Sequence, residues 1–308
     1  MVNTMSHLQE LKDFVSQHLK FGRLVVKELS GIGDYIDYFV VEKQNFEESC
    51  KFLVLFAPYS LDEIISPLVD MVAFSQRING WWMIDPYARK GEEHLRNDLI
   101  TIPTGKAIAA LWAVACNSKP PRKLMLENMF YRSWIRFSRI GPWGEEFENI
   151  HSSKEIIRFF DRAGIIQAFP LAPSFEKVRT YFMKEKRNFD KKKENDQWSK
   201  IEYYAISEIL FRLEPNRSAK DIPDKERTED RPSQKAYLDV IESRRLTKND
   251  LIAMDLEDIV WLPFEDLKYD ISAEEALDII DTKKGKGIAG MLNKEYARFF
   301  IRDILGEE

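Results

Sequence analysis

Lys106 to Cys116 reads KAIAALWAVAC, eleven residues of which only the first is charged. With Thr104 as its N-cap, the run has the length of a helix, and its apolar side chains point in nearly every direction around the axis. A helix of that kind has no face to give to water, so other elements must enclose it. Working outward, the apolar spacing stays helical from Pro86 to the C-terminus. Ser153 opens KEIIRFFDRAG with Gly164 as C-cap, and Ser174 opens the long FEKVRTYFMKEKRNFDKKK segment. WSKIEYYAISEILFRL follows, and further helices are expected around Gln234 to Arg245, Ala273 to Asp281 and Ile288 to Leu305.

Strand signals are confined to the N-terminal part. After a first helix with Leu8, Leu11, Phe14, Val15 and Leu19 on one face, RLVVKEL (Arg23 to Leu29) and YIDYFVVEK (Tyr35 to Lys43) flank the turn signal SGIGD. Lys51 to Ala57 (KFLVLFA) reads as a central strand and WWMID (Trp81 to Asp85) as a short fourth one. Between them, Ser60 to Glu63 matches a capping box that opens a helix bent by Pro67. The expected fold class is α+β, predominantly α-helical, with a small antiparallel sheet near the N-terminus followed by a larger helical region. The expected division is an α/β region over 1–118 and a helical region over 119–308, with a polar loop at 216–232.

Composition narrows the class of protein. Hydrophobic residues make up 44% and aromatics 12% of 308, ample for a packed core, and charge is near balance at −5. That balance excludes bulk coating of nucleic acid and leaves only local patches. Two cysteines, Cys50 and Cys116, in apolar surroundings read as buried reduced thiols. The N-terminal MVNTMSHLQELKDF carries no signal-peptide core, and no run approaches the roughly eighteen apolar residues of a membrane span. The expected compartment is the cytoplasm, without membrane contact.

Charge is nonetheless segregated. Lys119 to Trp143 (KPPRKLMLENMFYRSWIRFSRIGPW) holds six basic residues and one acid. Arg132, Arg136 and Arg139 fall at i, i+4 and i+7 on one helical face, where guanidinium groups can engage phosphates while Trp134 or Tyr131 stacks on bases. Arg122 and Lys123 extend the patch. On the same helix Leu126, Met129, Phe130, Ser133 and Phe137 form a core-like stripe. Later, Thr247 to Asp281 carries eleven acids against two lysines, and Lys283 to Arg302 carries six bases against one acid. Such polarity suits head-to-tail self-association, and equally suits pairing within one chain.

Motifs add weaker signals. Lys283-Lys284-Gly285-Lys286-Gly287-Ile288-Ala289-Gly290 contains G-x-G-x-x-G, and Lys283, Lys284 and Lys286 are candidate phosphate contacts. The dinucleotide reading fails, because the motif follows a helix rather than a strand and too little chain remains for a βαβ unit. A glycine-rich turn between two helices is the alternative. Pro103 to Ala107 lacks the upstream glycine and the Ser/Thr of a phosphate loop. Arg89 and His94 in DPYARKGEEHLRND have the R-x4-H spacing, and this six-residue match resembles HEPN-type ribonucleases. The resemblance implies a small helical domain in which Arg89 and His94 act on RNA without metal.

The expected function is therefore a non-enzymatic nucleic-acid-binding subunit of a homo- or hetero-oligomeric assembly, of the kind found in defence systems or viral nucleoproteins. Its partners are single-stranded RNA or DNA, together with itself or another protein, and it needs no cofactor and no metal. The alternatives are a HEPN-like endoribonuclease using Arg89 and His94, and a scaffold that binds only proteins.

Overall fold

The computed structural model describes residues 2–19, 43–59, 62–76, 80–82, 97–143, 149–192, 197–214 and 233–305. Among them are fourteen α-helices: α1 (Val2–His18), α2 (Lys43–Phe56), α3 (Asp62–Phe74), α4 (Asn97–Cys116), α5 (Arg122–Phe137), α6 (Asn149–Arg162), α7 (Ile165–Ala168), α8 (Pro173–Lys192), α9 (Gln197–Leu213), α10 (Ser233–Ser243), α11 (Lys248–Ala253), α12 (Leu256–Ile259), α13 (Ala273–Thr282) and α14 (Gly287–Ile304). Two short strands, β1 (Arg245–Thr247) and β2 (Lys268–Asp270), pair in parallel with Leu246 opposite Tyr269. Two compact units result. One comprises Met1–His18, Lys193–Glu208 and Asn216–Glu308, the other Leu19–Lys192 and Ile209–Pro215.

In the second unit α4 packs against α2, α3, α5 and α6, as an all-round apolar helix must. Residues Ala107 to Leu111 and Ala113 to Ala115 are all buried. Thr104 lies inside this helix rather than at its cap. Its hydroxyl accepts from the backbone N–H of Trp82 at 3.0 Å and donates to the Trp82 carbonyl at 3.3 Å. Gly105 permits the close approach of α6, since a Cβ there would meet Ile156 at 3.0 Å. Lys106 is the one buried charge on the Lys106 to Cys116 run, with Glu155 at 2.6 Å, Glu47 at 3.3 Å and the Phe159 ring 5.6 Å away. Burial by itself disfavours the lysine's charge, but the two carboxylates outweigh it and raise the pKa above the ordinary value.

The first unit is built on α14, which buries Leu292, Tyr296, Ala297, Phe299, Phe300 and Ile301 and packs against α1, α12 and α13. The parallel pair needs a crossover, and α11, α12 and the turn Phe264–Asp266 supply it. Arg245 bridges to Asp270 across the two strands.

The expected antiparallel sheet near the N-terminus is overturned: the protein is mostly helical, and its one described sheet is parallel and lies near the C-terminus. Lys51 to Ala57, expected as a strand, continues α2 into the turn Ala57–Tyr59. A continuous apolar run fits a buried helix as well as a buried strand, and here Phe46, Cys50, Leu53 and Val54 extend the helical period upstream. The segments 23–29 and 83–85 lie outside the described residues, as do the polar loop at 216–232 and all but Lys43 of 35–43. Helices α4 and α5, on either side of residue 118, pack together within one unit.

The two thiols differ, contrary to expectation. Cys50 is buried, and burial pushes its pKa well above the ordinary thiol value, whereas Cys116 at the end of α4 is exposed. A native sample titrated with a disulfide reagent at mildly alkaline pH is expected to release one equivalent, from Cys116, and a second only on unfolding. Two equivalents without denaturant would contradict the packing of α2 against α4.

Candidate binding interface

Helix α5 follows two prolines and turns a strongly apolar stripe inward. Leu126, Phe130, Ser133, Trp134 and Phe137 are buried. Phe130 stacks on Trp134 at 5.6 Å, and Phe137 stacks on Trp143 at 5.4 Å. Trp134 also meets Phe160, Phe169 and Phe175. The residue is 5% exposed, so it serves the core and presents no face to a base. The stripe is pinned from just beyond α3, because Gln76 Nε2 donates to Ser133 Oγ at 2.8 Å and to the Met129 carbonyl at 3.0 Å. Gly80, at φ +87°, passes so close that a Cβ would meet the Arg132 carbonyl at 3.0 Å.

Fixing the inner face fixes the outer one. Arg132, Arg136 and Arg139 are all exposed, the first two about 40° apart around the axis and the third in the turn that follows the helix. Beside them runs a strip that sequence reasoning missed: Leu124 (58% exposed), Tyr131 and Ile135 (55%), within about 40° of arc. Asn128 lies between the two strips. The turn before α8 borders this surface, since Phe169 packs edge-on against Tyr131 at 6.4 Å and Ser174 N–H donates to the Ser138 carbonyl at 2.7 Å. Leu171, between those two contacts, is 94% exposed. The signal for the missed strip was present in the spacing, because Leu124, Tyr131 and Ile135 follow i, i+7, i+11 opposite the buried stripe.

The other expected contacts take varied places. Arg122 donates to Ser66 Oγ at 3.0 Å, and Lys123 lies 3.9 Å from Glu127 one turn on. Both are half-buried. In the first unit, Lys283 Nζ donates to the carbonyls of Met254 at 2.6 Å and Ile252 at 3.0 Å. Burial lowers its pKa, with Asp255 opposing. Lys284 and Lys286 are exposed. The glycines form the turn between α13 and α14: a Cβ on Gly285 would fall 2.4 Å from the Gly290 backbone, and Gly287 has φ +64°. Arg89 and His94 lie outside the described residues.

Many charged groups of the first unit are engaged locally, by hydrogen bonds or by ion pairs. Asp250 closes a capping box with Thr247, Asp258 accepts from Ser233, and Glu257 accepts from Asn293 at 2.6 Å and Trp261 at 3.1 Å. Asp281 pairs with Arg298 at 2.5 Å, Glu275 with Lys248 at 3.4 Å, and Arg302 with Glu10 at 3.0 Å.

Set against protein-family models, curated proteins and solved structures, the chain matches none. Its function must be argued from its own surfaces. Among the described residues no group of three or more His, Cys, Asp and Glu side chains is placed to hold a metal ion, and no helix is long and apolar enough to cross a membrane.

The two faces of α5 predict opposite sensitivities. Trp134→Ala is expected to cost roughly 3–5 kcal/mol of stability, as truncation of a core aromatic does. Ile135→Gln is expected to stay within about 1 kcal/mol of wild type. Denaturant unfolding of the two variants checks this, and equal losses would contradict the assignment of the faces.

Proposed function

We propose that the protein is a subunit of an assembly and that the outer face of α5 docks a protein partner. The observation that carries this is the concentration of exposed apolar groups. Of nine exposed large hydrophobics among the described residues, five lie between Leu124 and Ile140, and a sixth is Leu171 beside them. Clustered apolar exposure of this kind marks interaction sites, whereas scattered exposure is ordinary. The surrounding residue types agree, because Tyr, Met and Arg are enriched at interface cores and Lys and Glu are depleted. Tyr131, Met125 and three arginines stand on this face, and neither Lys nor Glu is among its exposed residues on α5.

A second reading has its own observation. Arg132, Arg136 and Arg139 make a stripe of guanidinium groups that suits the phosphates of single-stranded RNA or DNA, with Tyr131 left as the stacking ring. The aliphatic strip beside the arginines gives nothing to a phosphate chain, which is why protein docking is preferred. In either reading the chain binds rather than catalyses. The exposed, unpaired thiol of Cys116 fits a reducing compartment, so we place the protein in the cytoplasm.

Leu124→Gln/Ile135→Gln separates the readings, because it removes the apolar strip and keeps every arginine. Selection of a random peptide library on the wild-type protein is expected to enrich acidic sequences with apolar anchors whose binding falls at least tenfold on the double variant. Labelled single-stranded oligonucleotides are expected to show little binding. Peptides indifferent to the double variant, with oligonucleotide binding that weakens steeply with salt, would favour the second reading.

A further inference from the structure

The first unit carries a surface complementary to the outer face of α5. On α13, Ala276 and Ile280 are buried while Glu274, Glu275, Asp278 and Asp281 are exposed. Glu274, Asp278 and Asp281 follow i, i+4, i+7, the same sequence spacing as Arg132 and Arg136 on α5 and Arg139 in the turn after it. The α13 set spans about 10 Å along its helix axis, at 1.5 Å per residue. Among the described residues Glu274 and Asp278 make no ion pair, while Asp281 and Glu275 are paired within the unit. In the same unit Ile252 is one of the three large hydrophobics exposed away from α5 and its bordering turn. It belongs to α11, which packs against α13, and its carbonyl accepts from Lys283 just beyond the end of α13. Exposed acids on α13, with an exposed apolar group on the adjoining helix, thus complement in charge a basic stripe with an apolar strip at its side.

We infer that the partner docked by the outer face of α5 is a second copy of this chain, whose α13 surface sets Glu274 and Asp278 against the stripe of Arg132, Arg136 and Arg139. The inference rests on the reading of α5 as a protein-docking face. Because donor and acceptor surfaces are different patches of the same chain, the contact is heterologous, and copies add head to tail. The α13 helix is only ten residues long, so the contact is small and the association weak and salt-sensitive.

A charge-swap experiment on the full chain tests this. One variant is Arg132→Glu/Arg136→Glu/Arg139→Glu, and the other is Glu274→Lys/Asp278→Lys. Sedimentation is compared at about 0.1 M and about 1 M salt, where the screening length falls from roughly 10 to 3 Å. The wild-type protein is expected to sediment above its 36.2 kDa monomer mass at low salt and as the monomer at high salt. Each variant alone repels itself and is expected to associate at least tenfold more weakly, while an equimolar mixture of the two associates again. Circular dichroism establishes that the variants remain helical, and the wild-type salt series stands on its own if one of them unfolds. A wild-type monomer at low salt, or variants that associate unmixed, overturns the inference. In the first case peptides selected on α5 still bind if the docking face itself is sound, and fail to bind if it is not.

Discussion

A helix with no polar face has to be surrounded, and α4 imposes that demand on the second unit. Each neighbour must turn an apolar stripe toward it, and what remains on the neighbour's other side faces away. For α2 the inward groups include Phe46, Cys50 and Leu53, and for α6 they include Ile156, Ile157 and Phe160. For α5 they are the aromatic stripe ending in Phe137. The one charge on the Lys106 to Cys116 run, Lys106, is held by carboxylates from two different neighbours, Glu47 on α2 and Glu155 on α6. A buried ammonium is tolerated only with such partners, so the pair of contacts fixes how α2 and α6 are set against α4.

Much of the helical plan was legible because strong periodicity coincided with punctuation. Gly164 ends α6 in a left-handed conformation at φ +77°, and the inner stripe of α5 follows from the spacing of Leu126, Phe130, Ser133 and Phe137. Three things were not legible. The run Lys51 to Ala57 is apolar without interruption, so no period distinguishes strand from buried helix, and packing on α4 decided for helix. Thr104 looked like a cap after Pro103, yet α4 begins at Asn97 and carries the proline inside it, with the threonine hydroxyl turned to the Trp82 backbone. The parallel pair has three residues per strand, too few to show alternation, and depends on a crossover that only tertiary contacts define.

The candidate site was legible by half. The arginine stripe could be read from its spacing, but the sequence could not say which aromatics beside it would be consumed by the core. Trp134 and Phe130 went inward, and the exposed groups next to the arginines proved to be Leu124, Tyr131 and Ile135. That substitution of aliphatic for stacking surface changes the kind of partner the face suits, from a chain of bases toward a protein surface. The charge segregation of the first unit also reads differently in three dimensions. Asp250, Asp258, Asp281, Lys283 and Arg298 serve caps, turns and local pairs, while Glu274 and Asp278 on α13 are exposed and make no ion pair among the described residues.

The central claim is that the outer face of α5 is a contact between protein molecules. The most direct measurement places a polarity-sensitive dye on that face, at Ile135→Cys in a Cys116→Ser background, and follows its emission as unlabelled wild-type protein is added at low salt. The account predicts a blue shift that saturates with added protein, reverses at high salt and is not produced by single-stranded oligonucleotides. Emission that ignores added protein but responds to oligonucleotides would contradict it.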